Sequence, residues 1–138
     1  DPAGNLSLLT DQLSRPNGIS FNEDYTKCYI NVSDRKNAVI MSYNVNPEDG
    51  TLESEKVFFD TGHLLSEGKG LPDGIKVHPE TGLIFSTGPG GVLILTPEGD
   101  HLGTVNTGYA TANCCFDDNL EYLYMTADTY LMRVTLEK

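Results

Sequence analysis

The sequence has no tryptophan and only 3 cysteines in 138 residues. Cys28, Cys114 and Cys115 are odd in number and two of them are adjacent. That excludes a disulfide framework and leaves buried, reduced thiols on strands as the reading. Positive charge is scarce: 9 Lys and Arg stand against 20 Asp and Glu, a formal net charge of −11. Such a surface repels a phosphate backbone, which excludes nucleic acid as a partner. Its acidity is read first as solubility and second as a preference for cations. No apolar run approaches the ~20 residues of a membrane span, which excludes a membrane helix. Sustained helical periodicity is also missing, and only Leu64-Leu65-Ser66-Glu67 suggests a single turn. No secretory leader is visible. The chain opens on Asp1-Pro2-Ala3-Gly4, so an upstream segment is expected to have been removed. The compartment stays open between cytoplasm and periplasm or secretion, for a soluble protein in either case.

What is present is strand and turn. The chain carries 14 Gly and 7 Pro among many β-branched residues. Residues 27–33 alternate Cys28, Ile30 and Val32 with Lys27, Tyr29 and Asn31, the period of two that marks a strand. Further strands are predicted over 6–10, 18–21, 38–45, 55–60, 74–77, 83–86, 92–96, 101–105, 114–116, 123–126 and 130–136. Turn chemistry such as Asn46-Pro47-Glu48-Asp49-Gly50 separates them. The class is all-β.

A short motif recurs at the head of these strand groups. It reads Arg15-Pro16-Asn17-Gly18-Ile19-Ser20-Phe21, then Leu71-Pro72-Asp73-Gly74-Ile75-Lys76-Val77, then Thr111-Ala112-Asn113-Cys114-Cys115-Phe116. Asn17 and Asp73 lie 56 residues apart, and Asp73 and Asn113 lie 40 apart. Four-stranded units at about this period point to propeller blades. The predicted division is a partial blade over 1–13, blades over 14–62 and 71–107, and a partial blade over 110–138. A closed propeller needs about four blades or more, so the chain reads as roughly three blades of a larger ring.

In a propeller the first strand of each blade lines the central channel. Asn17, Asp73 and Asn113 would then ring one mouth of it. Their hard oxygens suit Ca²⁺ or Mg²⁺, and Zn²⁺ less well. Taken singly, Pro-Asn-Gly and Pro-Asp-Gly are ordinary turns whose side chains bond their own backbone. Repetition in register is what turns them into a candidate site. His63, in a glycine-rich loop, is a further candidate for the channel mouth, against the plainer reading of a loop histidine. Thr87-Gly88-Pro89-Gly90-Gly91 lacks the Lys-Ser/Thr ending of a phosphate loop and reads as a hairpin. Asn5-Leu6-Ser7 and Asn31-Val32-Ser33 match the glycosylation sequon, a pattern common by chance.

At these motifs the sequence resembles the gluconolactonase family, of the senescence marker protein 30, regucalcin and luciferin-regenerating enzyme type. Leu123-Tyr124-Met125-Thr126 extends the match. The resemblance implies the C-terminal half of a six-bladed β-propeller with a divalent cation in its channel, Ca²⁺ first, with Zn²⁺ or Mg²⁺ as alternatives. It implies Asn17 and Asp73 as metal ligands, Asp73 also as general base or nucleophile, and Asn113 as a channel-lining residue. It implies hydrolysis of a sugar lactone. The family's Glu from its first blade has no counterpart here. A partner is therefore expected, either the N-terminal half of the propeller or a second copy of the chain. The competing readings are a non-catalytic propeller segment for protein interaction and a calcium-binding module.

Overall fold

A computed structural model describes residues 2–136, so the ends of the outer predicted blades, Asp1 and residues 137–138, lie outside the described residues. Eleven strands form three antiparallel meanders. The first joins β1 (Pro16–Phe21), β2 (Lys27–Asp34), β3 (Asn37–Val45) and β4 (Leu52–Asp60) in chain order. The second joins β5 (Ile75–Val77), β6 (Ile84–Gly88), β7 (Gly91–Leu95) and β8 (His101–Asn106). The third has three strands, β9 (Thr111–Phe116), β10 (Tyr122–Ala127) and β11 (Tyr130–Thr135). A 3-10 turn over Gly62–Leu64 sits just ahead of the helical turn expected at 64–67.

The sheets stack face against face. One face of the first sheet sends Tyr29 and Ile40 onto Ile75, Ile84 and Leu95 of the second. The second in turn packs Phe85 and Val92 onto Cys114, Leu123 and Met125 of the third. Each fully buried Ile or Leu side chain contributes about 1.5–3 kcal/mol. The opposite face of the first sheet is closed as well. Cys28, Ile30, Val32, Val39, Met41 and Tyr43 are all buried there, with Leu13 packed on them. The alternation over 27–33 therefore separates two buried faces rather than a buried from a wet one.

One predicted strand is absent. Residues 6–10 form no ladder, and Leu6 and Leu8 are 100% and 80% exposed. A strand needs a paired edge to satisfy its backbone. The first sheet runs β1-β2-β3-β4, and residues 6–10 pair with neither of its edge strands.

Glycines at the heads of the first two sheets explain how close the stack is. A Cβ on Gly18 would lie 2.0 Å from the Asp73 carbonyl oxygen. One on Gly74 would lie 2.8 Å from the Asn113 Cα. Neither residue has positive φ. The glycine of the recurring motif is thus required by the approach of the next sheet's leading segment, not by a tight turn.

Candidate functional site

The backbone around Asp73 is held from both sides. Pro72, Asp73 and Gly74 precede β5, and the carbonyls of all three accept protons from side chains of β2. Ser33 Oγ donates to the Pro72 carbonyl. Asn31 Nδ2 lies 3.0 Å from the Asp73 carbonyl and 3.2 Å from that of Gly74. Asn31 Oδ1 accepts from Ser86 Oγ at 3.1 Å, and the residue is 0% exposed. From the other side, the Asp73 N–H donates to Thr87 Oγ1 at 3.2 Å, while that hydroxyl donates to the Gly74 carbonyl at 3.2 Å. The Gly74 N–H donates to the Ala112 carbonyl at 2.9 Å, tying the segment to the third sheet. A buried polar group is retained when every member is satisfied, and this frame meets that condition.

Asn17 reaches the same place from β1. Its Nδ2 donates to Ser33 Oγ at 3.2 Å. Asn17, Ser33, Arg35, Asp73 and Thr111 line one cleft of about 430 Å³, within the usual size of small-molecule sites. Burial pushes the Asp73 carboxyl above the ordinary carboxylate range, and a hydrogen bond from Asn17 partly offsets this. Among the described residues no three His, Cys, Asp or Glu side chains cluster at metal-binding distances. A cation in this cleft would take from this chain the carboxylate of Asp73 and neutral oxygens such as Asn17 Oδ1. Hard oxygens of this kind fit Ca²⁺ or Mg²⁺ in type, though two fall short of the six or more that Ca²⁺ takes.

The other candidates lie apart. Asn113 Oδ1 accepts from the Cys114 N–H at 2.9 Å. Its side chain lies over Gly74 and borders a separate hollow with Cys115, Tyr124, Thr126 and Leu131. His63, on the 3-10 turn, stacks edge-on to Phe59 with ring centroids 5.8 Å apart and does not line the cleft. The residues that sequence reading passed over are Asn31, Ser33, Arg35, Thr87 and Thr111. A signal existed for two of them. Asn31 and Ser33 are polar residues two apart, on one face of the largely buried strand β2. They had matched a sequon, but Asn31 is buried and bonded, so no glycan fits there.

Residues 1–129 match the family model described as the SMP-30/Gluconolactonase/LRE-like region. The chain is similar to a gluconolactonase of Zymomonas mobilis, 36% identical over 141 residues that cover 96% of this chain and 38% of the relative. Its fold is similar to that of a gluconolactonase from Xanthomonas campestris, with a TM-score of 0.85 and 28% identity, covering 99% of this chain and 43% of that one. It is also similar to a calcium-binding protein, regucalcin, from Agrobacterium tumefaciens, with a TM-score of 0.73 and 25% identity, covering 89% of this chain and 41% of that one. The chain thus spans less than half the length of each of these relatives, and its three stacked sheets are blades of their β-propeller fold.

Proposed function

The chain belongs to the SMP-30/gluconolactonase/LRE-like family, and from that premise we propose that it is part of a metal-dependent lactonase acting on sugar lactones. The observation that carries this reading is that Asn17 and Asp73, from successive sheets, open into one cleft. A bound divalent cation, Ca²⁺ first, would polarise the lactone carbonyl and lower the pKa of attacking water. Asn17 Oδ1 and the Asp73 carboxylate would hold it. Asp73 accepts the proton from water as general base. Arg35 lines the same cleft and brings a permanent positive charge to it. Its guanidinium suits the hydroxyls of a sugar ring and the carboxylate released when the ring opens. Proton release from an aldonolactone, followed together with metal content in the complete protein, tests the reading. Hydrolysis absent and cation absent would favour the interaction module instead.

Asn17→Ala is expected to act first on cation affinity. Turnover should fall at limiting Ca²⁺ and return in part at excess Ca²⁺. If added Ca²⁺ changes nothing, Asn17 is a turn residue and no ligand.

The chain is also proposed to work inside a closed ring, completed by the N-terminal half of the propeller or by a second copy. The first sheet is covered on both faces, but β11 presents Leu131 at 75% exposed beside Cys115, Tyr124 and Thr126. In a closed propeller the next blade covers such a face. The 138-residue chain expressed alone is expected to self-associate in sedimentation velocity. A well-dispersed 15.1 kDa species would show that the open face needs no cover.

A further inference from the structure

We propose that Ser33 is a positioning residue that decides which end of the Asn17 amide is left for a ligand in the cleft. The proposal rests on the cation reading above and extends it to a cleft residue that is not itself a cation ligand. A serine hydroxyl has one proton. Here that proton goes to the Pro72 carbonyl. Toward Asn17, Ser33 can therefore only accept. The 3.2 Å contact must take the NH₂ of the amide, and Oδ1 is left as the acceptor for a cation.

The same hydroxyl couples two elements. It ties the side chain of Asn17, on β1, to the main chain immediately before Asp73. Asn31, two residues earlier on β2, fixes the next two carbonyls in the row. Both cleft oxygens are thus referenced to one strand that contributes no ligand itself. Without the hydroxyl, the amide keeps only its hydrogen bond to the Asp73 carboxylate, and a cation that claims that carboxylate leaves the amide to turn over and present N–H groups, which repel the cation. Groups that orient a metal ligand typically change metal affinity by about 10–100-fold when removed.

The test is a mutant cycle read by Ca²⁺ calorimetry on the full chain, with amide NMR of the cation-free protein beside it. Ser33→Ala is expected to weaken Ca²⁺ binding by about 10–100-fold, and Ser33→Thr, which keeps the hydroxyl, to restore it. In the Asn17→Asp background both ends of the side chain are oxygens. There Ser33→Ala should cost less than about 2-fold, the non-additivity expected when one residue acts through the other. Equal losses in both backgrounds, or none in either, would overturn the proposal. In the NMR arm, contacts between the Asn17 amide protons and the Ser33 β-protons should be present in the parent and vanish in Asn17→Asp. Their absence from the parent also overturns it. Should those contacts be present while the parent binds no Ca²⁺, the cation reading falls and the assigned amide polarity stands.

Discussion

Asp73→Asn is expected to lower lactone turnover by at least ~10²-fold, the usual scale for removing a positioned acid–base group, while making the protein more stable at neutral pH. Burial penalises the charged form of Asp73, so its carboxyl titrates above the ordinary range in the folded protein. Between the unfolded and the folded pKa, the native state holds more protons than the unfolded state. Stability therefore falls as pH rises through that window, and above it the folded protein carries the full penalty. The amide carries no such penalty. Melting temperatures of the two proteins should converge below the unfolded carboxylate pKa and separate above the folded one, with the variant higher. The comparison belongs in cation-free buffer, because a bound cation favours the carboxylate and reverses the sign. Turnover is followed by proton release at saturating Ca²⁺, so that a weakened ligand is not mistaken for a lost base. Near-parental hydrolysis would remove Asp73 from the mechanism. A variant less stable at pH 7 would mean that the carboxylate has a partner in the fold that outweighs its desolvation.

The strand pattern was readable because it rests on local chemistry. Turn residues bracket β2, β3 and the strands that follow, and their observed bounds differ from the predicted ones by a few residues at most. Burial on both faces of the first sheet was not readable. Period-two alternation reports that a strand has two faces, not what covers each. The strand expected at 6–10 failed for a related reason, since pattern and propensity cannot supply a neighbour to pair with. At the cleft, the oxygen-bearing residues of the recurring motif pointed to Asn17 and Asp73 because repetition made them stand out. Asn31, Ser33 and Thr87 do not repeat in register. Asn31 and Ser33 satisfy carbonyls at the head of the next sheet 39 to 43 positions away, and Thr87 satisfies one in its own sheet 13 positions away; contacts of that range leave no local trace. Asn113 repeats the motif but differs in the structure. Cys114 replaces the glycine, and the Asn113 side chain bonds the Cys114 N–H instead of entering the cleft.

Gly18→Ala is expected to cost more than ~4 kcal/mol, in the range reserved for buried clashes and broken cores. On backbone grounds alone it should be mild, since Gly18 does not have positive φ and alanine adopts its conformation freely. The cost comes from the next sheet. The new methyl would sit 2.0 Å from the Asp73 carbonyl oxygen and 3.1 Å from its carbon. Both are main-chain atoms, and that main chain is pinned by Asn31 and Thr87. No side chain can swing aside to make room, so either β1 leaves the stack or the Asp73 segment shifts. Gly50→Ala is the matched control. Gly50 has φ +74 with nothing within 4 Å of an added Cβ. Its substitution carries only the left-handed strain, about 1–2 kcal/mol. Urea midpoints of the two variants should therefore rank opposite to what backbone angles alone imply. Where Gly18→Ala still folds, turnover should fall by about 10²-fold, because a displacement near 1 Å at a catalytic group is enough for that. A Gly18→Ala protein as stable as Gly50→Ala, with turnover intact, would show that the first two sheets do not meet at this contact and that Asp73 is not held by it.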